Sequence, residues 1–245
     1  MKRIELDACT IKHALPRLKR YLSKIKARLF DGYAINSYAQ EGEDIILQRI
    51  FSGKQNGFYV DVGAHHPQRF SNTYKFYSQG WCGINVEPNP DVISLFKKYR
   101  TDDINLNCGV ALDKGSLNYY MFDEPALNTF DDGVLKSRIA DTPYKHLKTV
   151  SIEVRPLADL LRQHAPSGRI IDFLTVDVEG FDLEVLQSND WINYRPSWVL
   201  VEQLNLDDIE NLNFEIHQYM KSLNYVLFAK TYNSLFYKDK TVLLK

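Results

Sequence analysis

Cysteine is scarce in this chain. Cys9, Cys82 and Cys108 are three in 245 residues. The number is odd and the spacing fits no zinc site, which excludes a disulfide framework and suits buried, reduced thiols in a cytosolic protein. Long apolar runs are missing too. None approaches the ~20 residues a membrane-crossing helix needs, and the opening residues do not read as a secretory leader. A basic excess is also lacking, since 30 Lys and Arg face 31 Asp and Glu. Wholesale nucleic-acid binding, which requires positive charge to neutralise phosphates, is therefore excluded. Glycine is short where it would matter most. The stretch GFYVDVGAHH, residues 57 to 66, opens like a nucleotide-binding strand and turns at Gly63. His65 and His66 then stand where a dinucleotide fold continues its G-x-G-x-x-G cradle.

What is present is an ordinary soluble composition, 44% hydrophobic and 25% charged, long enough for one large α/β domain or two small ones. Residues 1–35 form a separate N-terminal region. Between Lys12 and Arg28 the chain reads KHALPRLKRYLSKIKAR, basic and free of acids, with Leu15, Leu18, Leu22, Ile25 and Leu29 at helical spacing. That is an amphipathic helix, suited to packing on its own domain or a dimer partner, or to a peripheral membrane surface. Residues 36–245 then read as one domain. A connector NSYAQEGED and a helix EDIILQRIF precede alternating strands and helices.

The strands are GFYVDVG, CGINVE, INLNCGVAL, SLNYYMF, KTVSIEV, IDFLTVD, WVLVE, YVLFAK and SLFYK. Helices are expected over Ser71 to Gln79, over NPDVISLFKKYR with Asn89 as cap, over PLADLLRQHA, near Asp182 to Leu186, and over Asp208 to Leu223. Residues 123–147 lack a sustained period and read as a long covering loop. Alternation of this kind predicts a mostly parallel sheet with helices on both faces. The last two strands, four residues apart, must close it as an antiparallel hairpin.

In such sheets ligands sit outside the carboxyl ends of the strands. Asp61, Glu87, Asp177 and Glu202 end four of them, with Glu179 two residues past Asp177. An acid one strand-helix-strand unit after Asp61 is placed to accept hydrogen bonds from ribose hydroxyls, so Glu87 is a candidate cofactor ligand; its alternative is an acid near a helix start. Gly63 allows close backbone approach, or is a plain turn glycine. A turn glycine with acids and no phosphate cradle fits a nucleoside without a pyrophosphate, such as S-adenosylmethionine.

The ordered set SYAQEGED, FYVDVGAHHP, SNTYKFYSQGWCGINVEPNP and FLTVDVEGFDLEVL, spanning residues 37 to 238, resembles the FkbM-type family of S-adenosylmethionine-dependent methyltransferases. Its most specific parts are D-x-E-G at Asp177 to Gly180 and the run Gly80 to Pro88. The resemblance implies a Rossmann-like, seven-stranded class I methyltransferase fold and O-methylation of a sugar, glycan or natural product. It implies that Asp61, Gly63 and Glu87 hold the cofactor, with Gln40, Glu43 and Asn72 as further contacts. The family's glycine-rich continuation is here His65-His66-Pro67.

Methyl transfer to a hydroxyl calls for alignment and for removal of a proton from a poor nucleophile. His65, nearer the strand end than His66, is the first candidate base. Asp177 and Glu179 are candidate catalytic acids, and Asp177 with Glu202 could instead hold Mg²⁺. Two rival readings stand beside this one. A nicotinamide oxidoreductase would need the missing glycines, and a degenerate scaffold domain would not need the acids. The expected partners are a small-molecule or glycan acceptor, and the expected location is the cytoplasm, with or without a membrane contact through the N-terminal helix.

Overall fold

The computed structural model describes residues 33–204 and 212–241, together with Lys19 and Ser23. The chain separates into two compact units, Met1–Asn36 and Ser37–Lys245, and the fold below is that of the second. The amphipathic helix expected from Lys12 to Leu29 lies outside the described residues apart from Lys19 and Ser23.

Helix α1 (Glu43–Ile50) leads into β1 (Phe58–Val62), α2 (Tyr74–Tyr77), β2 (Cys82–Val86), α3 (Ile93–Tyr99) and β3 (Ile104–Leu106). Then come β4 (Gly109–Val110), β5 (Gly115–Phe122), a 3₁₀ turn (Pro125–Leu127), α4 (Asp132–Asp141), β6 (His146–Arg155) and α5 (Leu157–His164). The chain continues through β7 (Phe173–Val176), α6 (Asp182–Gln187), β8 (Trp198–Glu202), α7 (Glu215–Ser222), β9 (Tyr225–Lys230) and β10 (Ser234–Asp239).

Seven strands form one sheet in the order β3-β2-β1-β7-β8-β10-β9. The first five run parallel, and β10 is antiparallel to both β8 and β9. This is the Rossmann-like architecture with a C-terminal hairpin that the alternation predicts. The chain winds outward from β1 through β2 to β3, then returns to β7 on the other side. The switch point therefore falls between β1 and β7, where a crevice opens at the strand ends.

Side chains alternate across the sheet. Phe58, Val60 and Val62 of β1 join Ile84, Val86, Leu174, Val176, Val199 and Val201 in a core closed by α5, α6 and α7. Tyr59, Phe173, Leu200 and Phe236 face the opposite layer, against Leu47 of α1, Phe76 of α2 and Trp81. Burial on both faces explains why β1 reads as an unbroken apolar run apart from one acid.

Four expectations are corrected. The run INLNCGVAL is two strands in two sheets, because the Asn107 amide donates to the carbonyls of Glu87 (2.8 Å) and Pro88 (3.1 Å) and breaks the extended chain there. Strand β4 belongs instead to a second sheet, β4-β6-β5, whose inner face packs Tyr119, Met121, Val154 and Phe130. Residues 123–147 are not a loop: α4 lies within them, capped by Asp131 accepting from the Val134 N–H at 2.7 Å. Only Arg138 of that helix is buried, so no apolar stripe announced it. Asn89 does not cap α3; its side chain accepts from the Asp91 N–H at 2.9 Å in a local turn, and the helix begins at Ile93. Finally, the expected helix over Ser71 to Gln79 is the single turn of α2. Glu215–Ser222 is the described part of the one expected from Asp208, whose start lies outside the described residues.

Candidate active site

Strand parity assembles the acids. Asp61 pairs in register with Asn85 and Thr175, and Thr175 with Leu200. Two positions further on, Glu87, Asp177 and Glu202 carry the same parity as these partners. The four carboxylates therefore rise from one side of the sheet, the side of Tyr59, Phe173 and Leu200. A cleft of about 710 Å³, its open mouth included, lies at this end. It is lined by Gln40, Asp61, Gly63, His65, Asn72, Glu87, Asp177 and Glu179 from the expected set. Phe70, Tyr119, Asn128 and Phe130 also line it.

Gly63 has a positive φ of 81°, and a Cβ there would stand 1.8 Å from the Asp177 carbonyl oxygen. The close approach it permits is thus between the ends of β1 and β7, at the switch point. Asp61 accepts from the Thr73 hydroxyl at 2.6 Å. Burial pushes its carboxyl up to about 6, against the Thr73 hydrogen bond and the Arg100 charge. Glu87 accepts backbone N–H bonds from His65 and Asn89, both at 2.7 Å, yet burial still pushes it up to about 8. The Asn72 amide donates to Thr175 at 3.0 Å.

The two histidines separate cleanly. His65 lines the cleft and stacks on Phe70 with ring centres 6.0 Å apart. Burial, then the neighbouring Arg69, holds it down at about 4, so its imidazole is neutral at pH 7. His66 is occupied with its own turn, its Nδ1 accepting from the N–H groups of Gln68 and Arg69. His65, Phe70 and Glu179 all have positive φ near 55°. Among the described residues, three of the four non-glycine positions so strained line this one cleft, a concentration found where function over-determines the backbone.

At the ends of β7 and β8, Asp177, Glu179 and Glu202 each offer an oxygen within 4.8 Å of the others. Glu202 does not line the cleft itself; its Oε2 is buried without a hydrogen-bond partner. Burial and mutual repulsion raise Asp177 and Glu202 far above the carboxylate range. Arg138 donates to Glu179 and to the Leu127 carbonyl, and the Thr129 hydroxyl holds the Glu179 carbonyl at 2.8 Å. Asp182 supports the turn from below, accepting from the N–H groups of Val178 and Gly180.

Glu43 is the expected cofactor contact that does not line the cleft, although its charge acts on Asp177. Its carboxylate accepts from the Glu41 N–H and the hydroxyls of Thr231 and Ser234, fastening the connector to the β9–β10 turn. Sequence reasoning missed Arg138, Asn128 and Phe130, because all three lie in the stretch without period. The Asp131 cap was the available signal. Arg69 sits at the rim, bidentate with Glu124 at 2.9 and 3.0 Å.

The chemistry of the donor set tests a cofactor. Among the described residues lining the cleft there is no lysine or arginine, and four are acids. A pyrophosphate would find no cationic side chain to pair with, whereas carboxyl oxygens can accept from ribose hydroxyls and face a sulfonium. The nicotinamide reading has no such support.

Comparison by sequence finds methyltransferases. The family described as Methyltransferase FkbM domain matches residues 61–227. Methyltransferase sdnD of Sordaria araneosa is 29% identical over 181 residues, 63% of this chain and 67% of that protein. A TehB-like SAM-dependent methyltransferase from Corynebacterium glutamicum aligns over 94% of this chain and 99% of its own, with a TM-score of 0.42 and 9% identity. With the family match running from Asp61 at the first strand end to Leu227 in the hairpin, this chain belongs to the FkbM methyltransferase family.

Proposed function

We propose that the chain methylates a hydroxyl oxygen of a sugar, glycan or natural product. S-adenosylmethionine, when bound, supplies an electrophilic methyl group whose leaving thioether needs no proton. Asp61, Gly63 and Glu87 would hold it, with Glu87 toward the ribose and Gln40 and Asn72 alongside. The task left to the other residues is to orient the acceptor and take its proton. His65, Asp177 and Glu179 are the groups for that work, and their convergence on one cleft is the observation that carries the reading. His65 is neutral at pH 7, and burial raises the carboxyls of Asp177 and Glu179 above the ordinary carboxylate range, so each holds a proton more firmly than an exposed acid.

A second reading of the acids has its own support. Three hard oxygen donors and the unpartnered Glu202 Oε2 fit a divalent cation such as Mg²⁺. Asp177, Glu179 and Glu202 would hold it, and it would lower the acceptor hydroxyl's pKa. Chelation separates the two: activity that survives exhaustive chelator treatment and gains nothing from added Mg²⁺ leaves the residue base alone.

The test of the function is a mass-spectrometric screen of hydroxylated acceptors, nucleotide sugars and cell glycans included, with S-adenosylmethionine. The expected result is a gain of one methylene on an oxygen, with S-adenosylhomocysteine formed in step. Methylation confined to nitrogen or carbon would overturn the assignment.

A further inference from the structure

Beneath the cleft lies a cation that the chemistry above does not use. Arg100, just past the end of α3, is completely buried. Its Nε donates to Asp103 at 2.8 Å and its Nη1 to the Pro67 carbonyl at 3.0 Å. Its Nη2 donates to the Tyr59 hydroxyl at 2.8 Å and to Thr73 Oγ1 at 3.0 Å. A guanidinium has donors only, so Thr73 Oγ1 must accept from it. The one proton of the Thr73 hydroxyl is then free to go to Asp61, whose Oδ2 stands 2.6 Å away. The Ser71 hydroxyl, at 3.3 Å from Thr73 Oγ1, is the looser neighbour. Tyr59 obeys the same logic: having accepted from Arg100, it donates to Asp103 at 2.7 Å.

Every bond in this chain therefore has a fixed direction, running from the buried cation outward to the acid at the end of β1. We propose that Arg100 and Thr73 act as a relay that positions the Asp61 carboxylate for the cofactor, with Thr73 as the positioning residue in contact. The same guanidinium pins the Pro67 carbonyl, two residues past His65. One buried cation thus sets both the acid of β1 and the loop that carries His65. This rests on the reading of Asp61 as a cofactor ligand and deepens it.

The charged groups around Asp61 show why a relay is needed. Asp103 from the start of β3, Glu87 from the end of β2 and Asp177 from the end of β7 all disfavour a charge on Asp61 or share its field. Against them stand the Thr73 hydroxyl and Arg100. Losing the hydroxyl removes the direct partner and leaves the carboxyl among acids.

The experiment is calorimetric titration of the full chain with S-adenosylmethionine from about pH 5 to about pH 9, a range that brackets carboxyl and imidazole titration. Thr73→Val is expected to weaken binding about tenfold at neutral pH, the scale of one hydrogen bond to a charged group. The pH at which affinity is half-maximal should also move upward. Thr73→Ser should restore both, whereas Thr73→Ala should not, although each lacks the same methyl group. That pair also decides the matter if Thr73→Val fails to fold. A Thr73→Ala chain with the affinity and pH midpoint of Thr73→Ser overturns the relay. A wild-type chain that does not bind S-adenosylmethionine overturns the cofactor reading itself, and the relay with it.

Discussion

The four strand-end acids fall into two pairs that the fold treats differently. At β1 and β2 the protein supplies its own donors: a hydroxyl for Asp61, two backbone N–H groups for Glu87. At β7 and β8 it crowds carboxyls together instead. Among the described residues, Arg138 is the cation paired there, and it serves Glu179, while Glu202 keeps a buried oxygen without a partner. The first pair is ordered before any ligand arrives, as a binding site should be. The second is repulsive and therefore sensitive to whatever charge or proton enters. On the proposed reading the cofactor acids occupy one half of the crevice, with His65 beside them, and the acids assigned to proton transfer occupy the other.

The sharpest way to break this division is to exchange the effects. Asp177→Asn is expected to lower turnover by about 10²–10⁴, the usual worth of general acid–base catalysis. Its affinity for S-adenosylmethionine should stay within a few-fold of wild type. Paired turnover and titration calorimetry check this, and a variant whose loss lies wholly in affinity would merge the two halves. Asp61→Asn should do the reverse. It should weaken cofactor binding about 10- to 100-fold, as expected for a lost interaction with a charged group. Turnover at saturating cofactor should change far less.

The placement of these acids was legible in the sequence. Asp61, Glu87, Asp177 and Glu202 each close an apolar run, and parallel-sheet topology carries such ends to one edge without any side-chain detail. The hairpin followed from the shortness of the link between its strands, Thr231 to Asn233. What stayed hidden was whatever depends on polar docking. Helix α4 buries one residue, Arg138, and so left no apolar stripe. The split between β3 and β4 turns on the hydrogen bonds of one asparagine amide. Glu43 was expected among the cofactor contacts because the connector could close over the pocket; its hydrogen-bond partners Thr231 and Ser234 lie about 190 positions away.

A smaller effect probes the crowded half through stability. At pH above the ordinary carboxylate range Glu202 must hold a proton that the unfolded chain has released, and removing that cost stabilises the fold. Glu202→Gln keeps the shape and removes the ionisable group. With chelator present and pH above neutral, its melting temperature should rise by a few degrees, about 2–4 °C per kcal/mol for a domain of this size. Activity should fall at the same time, the usual exchange at a strained site. A lower melting temperature in chelator would mean that Glu202 has a stabilising partner.

The ordered half is probed by pH. Glu87 has its carboxyl raised from an ordinary 4.5 to about 8. Between those values the folded chain holds a proton that the unfolded chain has lost. Its contribution to stability is therefore complete below 4.5, declines as pH rises, and levels off above about 8. Cofactor binding has the opposite sign. A ribose hydroxyl donating to Glu87, with a sulfonium nearby, favours the ionised carboxylate, so binding expels the proton and affinity climbs with pH until about 8. Titrations in buffers of different ionisation enthalpy should show proton release at neutral pH. Glu87→Gln should abolish most of that release, leaving a residual slope near pH 6 from Asp61. Release that persists undiminished in Glu87→Gln would place the responsible group at β7 and β8, and the two halves would no longer divide binding from proton chemistry.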